Sequence, residues 1–352
     1  MRKDESRMLH LSPFWFCTNS VPGDDLIPAL DAAREFGFSD VELSAIDGIS
    51  EQIVAERVCD EYVAWVRARL EERGLRCVAV SGHCDLTNDR QFARFLKKLE
   101  FAGKIGATRI NTRCGPVCRT VKFRKNLSRA VEAAAPYRLR INLESYGDIV
   151  GTARECGPIF REIGHPSVRC NYDPGNNYRF ARGEISIADD ICESLEVLDC
   201  LHLKDALLRD GYIYNPPIGQ GGGVRAVFRA ERSAPPSPAG WRCRKLRVAS
   251  DFAIEQLTPA PEEVRRAIRE SLDFIAQNCA VWHGRRGRRT PKQQKPYAEN
   301  LRKAFSCGKP RERSRSTRIV QPLAAQEHGF GPLTCGRHTA PPDRTAAPPA
   351  AG

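Results

Sequence analysis

LRINLESYG at 139–147, VRCNYDPGN at 168–176 and LDCLHLKDA at 198–206 are three apolar runs, each carrying near its end a polar residue able to hold a metal: Glu144, Asp173 and His202. A helical pattern spans 152–163 between the first two runs, and another spans 185–195 between the second and third. Strands alternating with helices at this rhythm predict βαβ units and a parallel sheet. In a parallel sheet all C-terminal strand ends face one way, so ligands at three consecutive ends converge on one place. Singly, each residue has an ordinary explanation. Glu144 could pair with a Lys or Arg, Asp173 belongs to Asp-Pro-Gly turn chemistry, and a histidine closing an apolar run is commonly a hydrogen-bonded core residue. Their shared position in three successive units favours a metal site.

The same rhythm extends upstream. Residues 8–16 read as a first strand, with Asn19 in the loop after it, and 26–36 as a helix ended by Gly37. Residues 40–43 form a second strand bearing Glu42, read as an ion-pair partner at the barrel mouth rather than a catalyst. A helix over 54–73, a strand over 75–81 followed by His83, and a helix over 91–105 with Phe92, Phe95, Leu99 and Ala102 on one face come next. A strand over 108–111 and a helix over 126–135 complete the run, giving seven βα units. Eight such units close a barrel.

Downstream, an eighth helix is clear: Thr258 as cap, Glu262 and Glu263 in its first turn, and Val264, Ile268, Leu272 and Ile275 on one face. The strand before it is not. RAERSAPPSPAGWRCRKLRVASD at 229–251 is rich in Arg, Pro and Ser, and only 246–248 or 252–254 could serve as a strand. The expected fold is therefore an α/β protein, a TIM (β/α)8 barrel over 1–280 with an irregular eighth strand.

Charge separates this body from the C-terminal segment. The formal net charge is +12, yet 281–352 holds 15 Lys/Arg against 4 Asp/Glu while the rest holds 40 against 39. The basic segment has much Pro and Arg and no apolar periodicity, so it is expected to be mostly disordered. Any nucleic-acid contact would be non-specific and made through it. The N-terminus MRKDESRMLH lacks an apolar signal region, and no run approaches the roughly 18 apolar residues of a membrane span. The fourteen scattered cysteines read as buried thiols in a reducing cytoplasm.

FGFSDVELSA at 36–45, LRCVAVSGHCDLTND at 75–89, LEFAGKIGATRINTRCGP at 99–116, LRINLESYGD, VRCNYDPGNN, LHLKDA and PPIGQGGG at 216–223 together resemble the xylose isomerase-like TIM barrels. The resemblance runs over 9–223 and resumes at the last helix, LTPAPEEVRRAIRESLDFI at 257–275. That group includes sugar (phosphate) isomerases and epimerases, hydroxypyruvate isomerases, inosose dehydratases and the related endonuclease IV enzymes. The resemblance implies a divalent metal (Mn, Mg, Co or Zn) held by a Glu after strand five, an Asp after strand six, a His after strand seven and a Glu after strand eight. Glu144, Asp173 and His202 stand at the first three positions. The fourth falls in the departing segment, where Glu255 is the nearest acidic residue before the last helix.

Such a metal would chelate adjacent oxygens of a hydroxy-ketone, acidify the neighbouring C–H and stabilise an enediolate. The resemblance makes Glu144 a proton-transfer group, with a partner from strand eight on the opposite face. His83, Asn176, Lys204 and Asp205 are expected on the substrate side; for Lys204 and Asp205 an internal ion pair is an equal alternative. Asn176 stands where some relatives carry histidine, which weighs against endonuclease chemistry. The glycines at 219–223 lack a following Lys-Ser/Thr and read as a loop over the active site, not a nucleotide cradle.

The expected function is a metal-dependent isomerase or epimerase of a small sugar or polyol, compatible with a homo-oligomer. A dehydratase or lyase on the same metal site is the alternative within enzymes. An inactive barrel with a nucleic-acid-binding tail is the alternative outside them. With no regular eighth strand and no glutamate there, the chain is expected to be poorly stable and weakly active or inactive.

Overall fold

Eight parallel strands close into a barrel in a computed structural model that describes residues 14–194, 196–209, 212–227, 247–250 and 261–278. The first seven are β1 (Phe14–Cys17), β2 (Asp40–Ser44), β3 (Arg76–Ser81), β4 (Arg109–Thr112), β5 (Arg140–Glu144), β6 (Val168–Tyr172) and β7 (Leu198–His202). A small antiparallel hairpin, β8 (Leu207–Arg209) and β9 (Tyr212–Tyr214), follows β7. β10 (Arg247–Ser250) then lies between β7 and β1, pairing Ala249 with His202 and with Trp15. It overlaps the first of the two stretches that could serve as an eighth strand, and it is four residues long. Glu255, the alternative stretch 252–254, Thr258 and the basic segment 281–352 lie outside the described residues.

The helices are α1 (Leu26–Glu35), α2 (Asp60–Glu71), α3 (Asp89–Ile105), α4 (Thr120–Ala134), α5 (Ala153–Ile163), α6 (Pro174–Phe180), α7 (Ile187–Glu193) and α8 (Pro261–Asn278). Local chemistry sets many of their ends. Asp25 accepts a hydrogen bond from the Ile27 N–H and Asn88 from that of Gln91, while Thr152 and Glu155 form a capping box at the start of α5. Gly106, at φ +90°, ends α3 in the left-handed region open to glycine.

Three elements differ from the sequence expectation, one of them α4, which starts at Thr120 and not at 126. α2 starts at Asp60, not near 54, because Val54 and Val58 are extended on either side of a single 3-10 turn, and Asp60 and Glu61 supply the acidic first turn. α6 replaces what reads as a simple turn: Asp173 caps it and Pro174 takes the first helical position, where a missing N–H costs nothing.

The core lies between barrel and helices. Phe16, Val41, Leu43, Val80, Ile110, Ile141, Leu143 and Cys170 from the strands cluster with Leu30, Val66, Phe95, Leu99, Phe123, Leu127 and Phe160 from the helices and with Phe36 just after α1, all buried. Full burial of each large apolar side chain contributes about 1.5–3 kcal/mol. Val264, Ile268, Leu272 and Ile275 of α8 are buried in the same cluster, as their spacing predicts. Nine described cysteines are free thiols, seven of them buried. Among the described residues, no helix is long and apolar enough to cross a membrane.

The barrel interior is polar at both levels. β4, β5 and β6 each contain Arg-x-Asn: Arg109 and Asn111, Arg140 and Asn142, Arg169 and Asn171. Near the strand starts, Asp199 of β7 accepts from Asn142 and ion-pairs with Arg140 at 2.9 Å and Arg109 at 3.5 Å. Nearer the strand ends, Asn111 and Asn171 turn toward carboxylates. The register slips beside Glu42 in the β2–β3 pairing and beside Asn171 in β6–β7. Such irregularities re-aim side chains next to functional sites.

Candidate functional site

Glu144 is the last residue of β5 and His202 the last of β7, so the parallel barrel delivers both to one end. His202 Nδ1 lies 3.2 Å from Glu144 Oε2, and His83, from the loop after β3, places Nε2 at 3.2 Å from the same oxygen. The three ligand atoms lie within 4.8 Å of one another. Two ligands about 2.1 Å from one tetrahedral ion stand roughly 3.4 Å apart, so both 3.2 Å separations match neighbouring corners of a coordination shell. His83 Nδ1 is buried and has no hydrogen-bond partner among the described residues. One carboxylate and two imidazoles form a donor set that suits a borderline divalent ion. The residues present therefore fit a metal.

Electrostatics alone already hold the cluster together. Burial opposes charge on His202, but Glu42 and Glu144 on either side overcome it and raise its pKa well above the ordinary value. Burial would likewise raise Glu144, but the imidazoles of His83 and His202 pull it well below the carboxylate range. Glu42 follows the same logic: burial is outweighed by His202 and by N–H donors, leaving its pKa at about 2. His83 moves the other way, because burial lowers it and its neighbours do not fully compensate.

Glu144 is fixed by amides as well. Asn171 donates to Oε2 at 2.9 Å and Asn176 to Oε1 at 2.7 Å. The Cys200 thiol donates to Asn171 Oδ1 at 2.8 Å, which turns the Asn171 amide nitrogen toward Glu144. Ser145, the next residue, accepts from the Asp173 backbone N–H and from Asn177, so β5 also sets where α6 begins.

Asp173, the third expected ligand, sits at the matching end of β6 with its carboxylate otherwise engaged. Oδ1 caps α6 by accepting from the Asn176 N–H, and Oδ2 meets Lys204 Nζ at 2.6 Å. Burial pushes its pKa up to about 6 against the pull of Lys204. Asp205, expected on the substrate side, directs both oxygens to four backbone N–H groups of the glycine-rich loop, at 2.7–3.2 Å. Of the four expected substrate-side residues, His83 and Asn176 thus touch Glu144 and Lys204 touches Asp173. Glu42 is an ion-pair partner as expected, but it is fully buried inside the barrel rather than at its mouth.

Asn111, Asn171, Cys200, Ser145 and Trp15 carry no signal of their own in the sequence. The Arg-x-Asn repeat in three consecutive strands is the pattern that marks the asparagines.

The Asp-Pro-Gly sequence has a steric reason beyond its turn preference. A Cβ on Gly175 would lie 2.9 Å from the Lys204 carbonyl oxygen and 3.1 Å from its Cγ. Gly175→Ala should push α6 off the end of β7 and lower stability by about 1–3 kcal/mol. Urea unfolding beside the parent chain measures this; an unchanged midpoint would mean that α6 and Lys204 separate freely.

The family whose model matches this sequence is described as xylose isomerase-like TIM barrel, over residues 30–233. No match was found among the curated proteins. Solved structures share the fold at low identity. The probable 3-DHS dehydratase AsbF of Bacillus anthracis, involved in petrobactin synthesis, is 15% identical with a TM-score of 0.54, covering 76% of this chain and 99% of its own. A xylose isomerase-like TIM barrel protein from Mycobacterium smegmatis in complex with magnesium is 15% identical with a TM-score of 0.54, covering 74% and 96%. D-allulose 3-epimerase from Methylomonas sp. in complex with D-allulose is 16% identical with a TM-score of 0.52, covering 75% and 96%.

Proposed function

The chain belongs to the xylose isomerase-like TIM barrel family, and on that basis we propose that it is a divalent-metal-dependent isomerase or epimerase of a small polyhydroxylated carbonyl compound. The observation that carries the reading is the convergence of Glu144, His202 and His83 on one point at the C-terminal end of the barrel. Active sites of this architecture lie at that end. The magnesium complex of the mycobacterial protein and the D-allulose complex of the epimerase agree with it in ligand chemistry.

Glu144 and His202 would hold the metal, with His83 as the nearest further ligand. Asp173 would be a further ligand were Lys204 to leave Oδ2. When bound, the metal supplies Lewis-acid polarisation of a carbonyl and an adjacent hydroxyl, which acidifies the C–H between them. The remaining work belongs to side chains. In an isomerisation Glu144 takes the proton from one carbon and delivers it to the neighbouring carbon, with Asn171 and Asn176 holding its carboxylate in one orientation; epimerisation needs a second proton donor on the opposite face of the carbon. Lys204, freed from Asp173, donates to a substrate oxygen. Asp205 keeps the glycine-rich loop in place.

The test is a panel of ketoses and inososes incubated in D₂O with Mn²⁺-loaded protein. Deuterium entering the carbon next to the carbonyl, with isomer or epimer formed, supports the proposal. Release of water from the same substrates would place the protein with dehydratases instead. Neither, across the panel, would refute the enzymatic reading. His202→Ala should also lose most of its bound divalent metal in elemental analysis. Retention at the parent ratio would remove His202 from the ligand set.

A further inference from the structure

Glu42 takes no direct part in the proposed reaction, yet it is a fully enclosed carboxylate beside the site. It is 0% exposed. Trp15 Nε1 donates to Oε2 at 3.0 Å and Asn111 Nδ2 donates to Oε1 at 2.8 Å. These two donors come from β1 and β4, on either side of β2 in the chain, and they pin both carboxylate oxygens. His202 Nε2 faces it at 3.3 Å from Oε1 and 3.4 Å from Oε2. The opposite ring nitrogen, Nδ1, faces Glu144. The imidazole is thus held edge-on between a carboxylate that belongs to the proposed metal centre and one that does not.

We infer that Glu42 is a positioning residue that fixes the His202 tautomer, holding the proton on Nε2 so that the Nδ1 lone pair is kept for the metal. The inference rests on the proposed metal centre and specifies which histidine nitrogen serves it. A carboxylate accepting from the far nitrogen of a ligating imidazole fixes ring orientation and raises ligand basicity. The register slip in β2–β3 falls between Val41 and Glu42, where it can aim this side chain inward. Asn111 Nδ2 also lies 3.4 Å from His202 Nε2, but its shorter bond, 2.8 Å, goes to Glu42 Oε1. The carboxylate is therefore the group that receives the Nε2 proton. Gln at position 42 would keep the shape but would offer only one acceptor oxygen to three donors.

Two measurements test this. In the ¹⁵N spectrum of the Zn²⁺-loaded parent protein, His202 should carry its proton on Nε2, with the signal identified by its loss in His202→Gln. Zn²⁺ titration calorimetry on metal-stripped Glu42→Gln should give a dissociation constant about 10–100-fold weaker than the parent, partly restored in Glu42→Asp. A His202 ring protonated on Nδ1 overturns the inference with no variant needed. Parent-like Zn²⁺ affinity in Glu42→Gln overturns it as well, leaving the metal centre intact. A parent protein that binds no Zn²⁺ overturns both this and the functional reading.

Discussion

Glu144→Gln is expected to lower turnover by about 10²–10⁴-fold, the usual cost of losing a general base. The substitution keeps the size of the side chain and at least one acceptor for Asn171 or Asn176. It removes the negative charge that faces His83 and His202, and with it the group proposed to take a proton from carbon. Deuterium wash-in at the substrate carbon measures this step apart from product release. A variant exchanging deuterium at the parent rate would assign the base elsewhere. Metal content should fall too, since an amide is a poorer ligand than a carboxylate. Glu144→Asp, which shortens the arm but keeps the charge, should retain more metal than Glu144→Gln.

Asp205→Ala should be the most destabilising change in the loops. The carboxylate is 1% exposed and receives the N–H groups of Gly219 and Gly221 on one oxygen and those of Gly223 and Val224 on the other. Three of these four bonds are buried. Each buried N–H left without a partner costs about 1–3 kcal/mol, and the shared acceptor makes the losses non-additive, so a total of about 3–5 kcal/mol is expected. The loop cannot relax by simple substitution, because a Cβ on Gly221 would lie 2.5 Å from the Ala206 carbonyl and 2.7 Å from Asp205 Oδ1. Asp205→Asn keeps one oxygen and should lose less. Urea unfolding followed by fluorescence checks both, and a loss under about 1 kcal/mol for the alanine variant would show the loop to be held by other contacts.

The barrel was legible because its elements are repetitive. Alternating apolar runs and amphipathic helices carry their own period, and the face of α8 with Val264, Ile268, Leu272 and Ile275 packs as its spacing implies. The convergence of Glu144 and His202 was legible for a related reason: strand ends in a parallel barrel share one side. What the sequence does not carry is distance across the barrel. His83 comes from a distant strand in the barrel order and reads as a substrate group, yet it shares an oxygen of Glu144 with His202. Asp173 occupies the matching strand end, but its oxygens are directed to the α6 backbone and to Lys204, a choice made by tertiary contact. Glu42 reads as a rim carboxylate because nothing local reveals that Trp15 and Asn111 surround it. The eighth strand, without apolar periodicity, could be placed only to within two alternatives.

The most direct test of the metal centre is X-ray absorption at the zinc edge of the Zn²⁺-loaded full chain. The geometry predicts a first shell of nitrogen and oxygen at about 2.0–2.1 Å, two imidazoles among them and no sulfur. A shell containing sulfur at about 2.3 Å, or one lacking imidazole scattering, would contradict the assignment of His83, Glu144 and His202 to one ion.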